Sequence, residues 1–275
     1  MAELVGAFAA CHGPVIARDW QVLPENERDR YITAFERTGA RLKACRPDII
    51  VALSPDHWVN FFIDNMPAFC IGVGDEHDGP PEPFMADIFP HKTLKGDPGF
   101  AGHLLQTAMD SEFEPAFSHW LTLDHGICVP LWRLAVDVAT PIVPILVNEV
   151  EGPMPVIRRC FSWGRLLRKA IGSYQPAARI AILATGGLSH SIGEATMGWI
   201  DEDFDRACIR HFEQSGEADI VRFLDEQLPK TGNGAHEVRN WVIAHGAAQS
   251  RGFELVDYFS SPATFVGAGF ASWRV

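Results

Sequence analysis

Short apolar runs alternate with longer amphipathic segments along the 275 residues of the chain. An uninterrupted apolar run that is bounded by turn residues is typical of a strand buried on both faces of a sheet. On this basis strands are predicted at Val5–Cys11, Asp48–Ser54, Ile142–Asn148 and Arg179–Ala184.

Segments with apolar residues at helical spacing separate these strands. Pro24–Cys45 is predicted as a helix, because Tyr31, Phe35 and Leu42 mark one apolar face among charged residues. Residues 74–100 are rich in Gly, Pro and Asp and predict a long, irregular excursion. Further helices are predicted at Pro155–Tyr174, Asp201–Phe212, Glu217–Gln227 and His236–Gln249.

This alternation of strands and helices indicates an α/β fold. We expect one domain over residues 1–275, with a central, mostly parallel or mixed sheet that is flanked by helices. Ligands in such folds bind beyond the carboxyl ends of the strands, so the polar residues that follow each strand are the candidates for function. The carboxylates near residues 201–205 and 217–226 are expected to lie on the solvated faces of helices.

The composition argues against several classes of protein. Acidic residues outnumber basic ones by 35 to 23, and the resulting net charge of −12 repels nucleic acid. No apolar stretch approaches the ~20 residues of a membrane span, and the N-terminus lacks the features of a signal peptide. The six cysteines include no C-x-x-C pair, which favours reduced, buried thiols. We therefore expect a soluble cytoplasmic protein.

Histidines stand at the ends of the predicted strands. Three strands run into turns that contain His12, His57 and His190, and His125 precedes a further apolar segment. A single histidine is more often structural than catalytic. Loops at strand ends converge in space, however, so these four imidazoles are expected to share one pocket.

A carboxylate near two of these imidazoles would form a known type of metal site. Two histidines and one carboxylate make the facial triad of non-haem Fe(II) oxygenases, which leaves one face of the metal open. Glu237 is the candidate carboxylate, because it opens a predicted helix after the glycine-rich loop 231–234.

Four separated segments of the chain carry a resemblance to a known family. They are Ser54-Pro55-Asp56-His57, Leu123-Asp124-His125-Gly126, Thr185-Gly186-Gly187-Leu188-Ser189-His190 and Ala235-His236-Glu237-Val238. In this order they resemble the class III extradiol ring-cleavage dioxygenases, the superfamily of protocatechuate 4,5-dioxygenase. The resemblance extends from residue 1 to about residue 270.

The resemblance implies a function and a set of site residues. His12, His57 and Glu237 stand where the family has its Fe(II) ligands, His190 where it has its base, and His125 where it has a second catalytic histidine. A catechol and O2 are the implied substrates, with a muconic semialdehyde-type product. A homo-oligomer is also implied, and a small second subunit is compatible with the family.

Some features are left open by the residues. Asp56, Asp124 and Ser189 flank the histidines and can either orient the imidazoles or stabilise their own turns. Trp241 lies one turn after Glu237 and can line the pocket or pack in the core. The segment before Glu237 is shorter than in related enzymes and the 74–93 loop is the chain's own, so no particular catechol is implied.

Two alternative functions also follow from the sequence. Gly187-Leu188-Ser189-His190-Ser191 approaches the G-x-S-x-G motif of α/β hydrolases, with Ser191 in place of the last glycine. A Ser189-dependent hydrolase is therefore one alternative, and a non-catalytic binding protein of the same fold is the other.

Overall fold

Ten strands and eight α-helices form within residues 1–89 and 92–275, which are the residues that this computed structural model describes. The strands are β1 (Glu3–Ala10), β2 (Ile49–Ser54), β3 (Phe69–Gly72), β4 (Glu76–Asp78), β5 (Thr93–Lys95), β6 (Ala116–Ser118), β7 (Ile142–Val147), β8 (Arg179–Thr185), β9 (Phe253–Ser261) and β10 (Val266–Trp273). The helices are α1 (Val15–Arg18), α2 (Glu25–Ala44), α3 (Pro98–Met109), α4 (His125–Arg133), α5 (Ile157–Ser173), α6 (Glu202–Gln214), α7 (Glu217–Gln227) and α8 (Val238–Ala247).

Eight of the strands form one mixed sheet, in the order β6-β3-β7-β2-β8-β1-β10-β9. The four central strands, β7, β2, β8 and β1, are parallel to their neighbours within this group. The outer pairs β3–β7, β1–β10 and β10–β9 are antiparallel. The predicted α/β fold with a mixed sheet is therefore confirmed. Because the central strands share a direction, the residues that follow them meet at one edge of the sheet.

Most predicted elements are confirmed to within about two residues, and three differences matter for the site. The predicted helix His236–Gln249 begins later, because Asn233–Glu237 forms a 3₁₀ turn and α8 starts at Val238. The 74–100 excursion is more ordered than expected, since β4 and β5 pair within it and α3 begins at Pro98. Its residues 90 and 91 lie outside the described part of the chain. Strands β9 and β10 were not predicted.

Helices cover both faces of the sheet, and the residues of β2 alternate between the two faces. Ile49, Val51 and Leu53 belong to the core beneath α3, α5 and α8. Ile50 and Ala52 belong to the opposite core, beneath α2 and α4. Within the described residues, no helix is long and apolar enough to cross a membrane.

Helices α5 and α8 cross at a very close approach of their backbones. A Cβ atom at Gly164 would lie 2.2 Å from the carbonyl oxygen of Ile243 and 2.6 Å from the amide nitrogen of Ala247. A Cβ at Gly246 would lie 2.7 Å from the carbonyl oxygen of Phe161. Only glycine fits at these two positions, and the crossing fixes α8, which directly follows Glu237.

The carboxyl group of Asp205 on α6 is buried, which corrects the expectation that the carboxylates near 201–205 face solvent. It accepts hydrogen bonds from the backbone nitrogen of Ser189 (2.7 Å), from Ser189 Oγ (3.0 Å) and from Tyr258 Oη (2.8 Å). Burial outweighs these donors and raises the pKa of Asp205 to about 6. This carboxyl therefore joins α6 and β9 to the turn that follows β8.

Substitution of Gly164 tests the close helix crossing. We expect Gly164→Ala to lower the free energy of unfolding by about 1–3 kcal/mol, because the added methyl group overlaps backbone atoms of α8. Gly172→Ala on the same helix is the matched control, since a Cβ there meets nothing within 4 Å. It should leave stability unchanged or raise it by up to about 1 kcal/mol. Urea unfolding measures both, and equal stabilities for the two variants would contradict the crossing.

The raised pKa of Asp205 predicts a pH-dependent contribution to stability. Its folded-state pKa of about 6 lies above the ordinary value of 3.8, so the folded protein binds this proton more tightly than the unfolded chain. The contribution is fully present below about pH 4 and is lost as the pH rises through about 6.

Asp205→Asn removes this titration. Between pH 4 and pH 7, the unfolding free energy of the parent should fall relative to that of the variant by about 2 kcal/mol. Denaturant unfolding at several pH values measures this difference, and a difference that stays constant with pH would refute the assignment.

Candidate active site

The five candidate site residues predicted from the sequence lie around one cavity. His12, His57, His125, His190 and Glu237 all line a space of about 320 Å³. This volume is at the lower end of the ~300–1,000 Å³ that small-molecule sites occupy. The cavity lies at the edge of the sheet where the parallel strands end, so the predicted convergence of these side chains is confirmed.

Glu237 occupies the centre of this group. Its Oε1 lies 3.2 Å from His12 Nε2, 3.4 Å from His190 Nε2 and 3.9 Å from His57 Nε2. Its Oε2 accepts a hydrogen bond from the backbone nitrogen of Gly187 at 2.8 Å. Burial alone would raise the pKa of Glu237, but His12 and His190 outweigh it and hold that pKa well below its ordinary value. Glu237 is therefore an ionised carboxylate.

His12 and His57 are held through their Nδ1 atoms, so their Nε2 atoms face Glu237. His12 Nδ1 is 3.0 Å from Thr185 Oγ1, and His57 Nδ1 donates to Asp124 Oδ2 at 3.0 Å. Asp124 also accepts from the backbone nitrogen of His57, and its Oδ1 caps α4, so it acts both as an orienting partner and as a turn residue. Burial lowers the pKa of His12, whereas Asp124 and Glu237 overcome burial and raise the pKa of His57.

His125 is positioned by a carboxylate that sequence reasoning did not find. Its Nδ1 and its backbone nitrogen donate to Glu82 Oε1, at 2.7 and 3.0 Å. The ring packs against that of His57, with centroids 4.2 Å apart. Burial disfavours the charge on Glu82, but the two bonds from His125 lower its pKa. Glu82 lies in the 74–93 loop, whose composition marked it only as irregular.

The imidazole of His190 is fixed by its own turn and by the loop before Glu237. His190 Nδ1 donates to the carbonyl oxygen of Leu188 at 3.0 Å, which leaves Nε2 facing Glu237. A Cβ at Gly234 would lie 2.1 Å from this ring, so the loop rests directly on it. Gly186 has a φ of +122°, which favours glycine, and a Cβ there would lie 2.8 Å from Glu237 Cβ. Burial opposes a charge on His190, but Glu237 raises its pKa.

These side chains include a group that can hold a metal ion. The ligand atoms of His12, His57 and His125 lie within 4.8 Å of one another. The carboxylate oxygen of Glu237 faces two of the same imidazoles. Imidazole and carboxylate donors suit first-row transition metals, and buried partners on the other ring nitrogen are typical of metal-binding histidines. The residues therefore fit a divalent transition-metal ion.

Three flanking residues whose roles the sequence left open now have defined surroundings. Asp56 accepts from the backbone nitrogens of residues 59–61 and so stabilises its own turn. Ser189 Oγ donates to Asp205 and accepts from the backbone nitrogen of Asp201. Within the described part of the chain its hydroxyl is thus bonded to no histidine, and the hydrolase alternative loses its nucleophile. Trp241 is fully buried and packs against Trp273 in the core.

Glu149 is a member of the cavity wall that sequence reasoning missed. It follows β7, the fourth of the central parallel strands, and is only 2% exposed. Its Oε2 accepts from Asn240 Nδ2 at 3.0 Å, whereas its Oε1 is buried without a partner. Burial and then the charge of Glu237 raise the pKa of Glu149 well above its ordinary value. The available signal was its position directly after the predicted strand Ile142–Asn148.

Comparison with known proteins finds relatives in sequence and in structure along most of the chain. The chain is 26% identical to a 2,3-dihydroxyphenylpropionate/2,3-dihydroxicinnamic acid 1,2-dioxygenase of Rhodococcus globerulus, over 86% of this chain and 88% of the relative. It is 27% identical to the protein of the same name from Rhodococcus rhodochrous, over 94% of each chain. The crystal structure of uncharacterized protein JW3007 from Escherichia coli K12 has the same fold, with a TM-score of 0.63 and 16% identity over 98% of this chain and 99% of that chain.

A family model matches nearly the whole sequence. Residues 6–271 match the model described as the catalytic LigB subunit of aromatic ring-opening dioxygenase. This range includes β2, β7 and β8 in full, most of β1, and every residue of the cavity wall discussed above. The chain therefore belongs to the LigB family of aromatic ring-opening dioxygenases.

Proposed function

We propose that the protein is an Fe(II)-dependent extradiol dioxygenase, formed by one catalytic domain over residues 1–275. It would cleave the ring of a substituted catechol beside the diol and place both atoms of O2 in a muconic semialdehyde-type product. The observation that carries this proposal is the position of Glu237 Oε1, which faces Nε2 of both His12 and His57 in a cavity of small-molecule size. Only the catechol diol of the compounds in the relatives' names is proposed for the substrate of this protein.

His12, His57 and Glu237 are the proposed ligands of the iron. Two imidazoles and one carboxylate match the donor set of non-haem Fe(II) oxygenases. When bound, Fe(II) would supply open positions for the diol and for O2 and would let electrons pass from the diol to O2. His125 is the competing third ligand, and a set of three histidines would instead resemble catalytic zinc sites. The geometry favours Glu237, because its Oε1 faces the Nε2 atoms of both His12 and His57.

The two remaining histidines are proposed to move protons. His190 Nδ1–H is bonded to a carbonyl oxygen, so its neutral form presents a free Nε2 lone pair that can accept the proton of a catechol hydroxyl. Glu237 raises the pKa of His190 and so makes it a stronger base. His125 contacts His57 rather than Glu237, and is proposed to return a proton to a substrate oxygen later in the reaction.

The metal content of two variants tests the ligand assignment. We expect Glu237→Ala to lose bound iron and activity, because the only carboxylate facing both His12 and His57 among the described residues is removed. His125→Ala should keep its iron. Elemental analysis after anaerobic reconstitution with Fe(II) and dialysis measures both, with circular dichroism as the check on folding. Iron retained by Glu237→Ala and lost by His125→Ala would assign the third ligand to histidine.

Turnover of a His190 variant tests the proposed base. His190→Ala should bind about as much iron as the parent and lose about 10²–10⁴-fold in kcat, as is typical when a general base is removed. His211→Ala is the matched control, because this histidine lies on α6, bonds Ser215 and is not part of the cavity wall. Oxygen uptake with a panel of catechols gives the rates. A parallel loss of iron and activity in His190→Ala would make this residue a ligand instead.

A further inference from the structure

The wall of the cavity has a polar part and an apolar part. The polar part consists of the four histidines with Glu237 and Glu149. The apolar part consists of Pro14, Trp58, Val150, Ile192 and Val266. Trp58 and Ile192 are 39% and 45% exposed, which puts them at the rim. A ring that reaches the histidines would therefore direct its substituent along apolar side chains.

The other polar side chains of the wall are already bonded within the protein. The amide group of Asn233 is bonded to both the backbone nitrogen and the carbonyl oxygen of Ile192, at 2.9 Å each. Thr264 Oγ1 lies 2.7 Å from Tyr31 Oη. Both side chains thus have partners within the protein, and neither carries a positive charge.

Among the described residues that line the cavity, none is Lys or Arg, so this wall has no lysine or arginine to pair with a negatively charged substituent. Arg239, which is close in sequence to Glu237, is turned away and donates to the carbonyl oxygen of Pro155.

Glu149 adds an acidic group to this same wall. Its Oε1 is buried and unpartnered, while Oε2 is bound by Asn240. Neither oxygen supplies a positive charge to the wall. A substrate carboxylate that lies along the apolar side chains would lose water without gaining a charged partner, and burying a charge without a partner is strongly unfavourable. An uncharged substituent has no such cost.

We propose that the substrate is a catechol whose substituent is uncharged and largely apolar, and not a catechol that carries a carboxylate. This inference rests on the proposed ring-cleavage function. The apolar side chains of the wall select between them, together with the lack of lysine or arginine among the described residues that line it. This distinguishes the chain's substrate from compounds such as 2,3-dihydroxyphenylpropionate, for which the relatives described above are named.

The first test compares two ligands that differ only in this charge, 3-(2,3-dihydroxyphenyl)propionate and its primary amide. Calorimetry without O2 measures binding to the iron-loaded protein, and oxygen uptake measures kcat/KM. We expect the acid to bind about 10- to 100-fold more weakly than the amide, with a similar ratio in kcat/KM, because the carboxylate is buried unpaired. Equal or tighter binding of the acid overturns the proposal.

Two variants of one rim residue test the cause of the selectivity. Ile192→Lys places a cation at the rim and should raise the acid-to-amide ratio in binding and in kcat/KM by up to about fivefold, as expected for a partly exposed ion pair. Ile192→Met, which has length without charge, should leave the ratio as in the parent. An unchanged ratio in a folded Ile192→Lys protein, as checked by circular dichroism, also overturns the proposal.

The outcomes separate this inference from the proposed function. If the iron-loaded protein consumes no O2 with either ligand or with simple alkyl catechols, the proposed ring-cleavage function is wrong. The ratio of the two binding constants still measures the selectivity of the cavity in that case. If O2 is consumed but the acid is the better substrate, ring cleavage stands and the inference about the uncharged substituent is wrong.

Discussion

A buried carboxylate that faces three imidazoles is the interaction on which the rest of this site depends. Glu237 carries its charge in a place from which water is largely excluded, where an unpaired carboxylate would be strongly destabilising. Its neighbours on the sheet edge must therefore supply compensating hydrogen bonds and charge. The need for these partners explains why the loops after β1, β2 and β8 all direct an imidazole or a backbone nitrogen at the same point.

Pairing between imidazoles and acidic groups extends outward from this centre. Asp124 fixes His57 and caps α4, and Glu82 fixes His125 through two bonds. These acidic partners decide which ring nitrogen of each histidine carries hydrogen and which one faces the cavity. The acidic composition of the chain, which by itself only argued against nucleic-acid binding, thus has a local role: several of its carboxylates set the chemistry of the histidines.

The sequence was sufficient for the parts of the site that follow directly from strand order. His12, His57 and His190 come immediately after apolar runs, so a parallel sheet was enough to predict that they meet. Glu82 and Asp205 were missed because their roles depend on contacts between distant segments. Strands β9 and β10 were missed for another reason, since small residues such as Gly267 and Gly269 weaken the apolar pattern of β10.

The glycine-mediated crossing of α5 and α8 gives the site a property that concerns ligand binding rather than folding. Helix α8 is anchored by backbone contact with α5 and by Trp241 in the core, so its first turn has little freedom to adjust. A ligand that binds to Glu237 therefore meets a carboxylate whose position is already set. Little conformational entropy remains to be lost on binding, and affinity is improved by preorganisation of the site rather than by additional contacts.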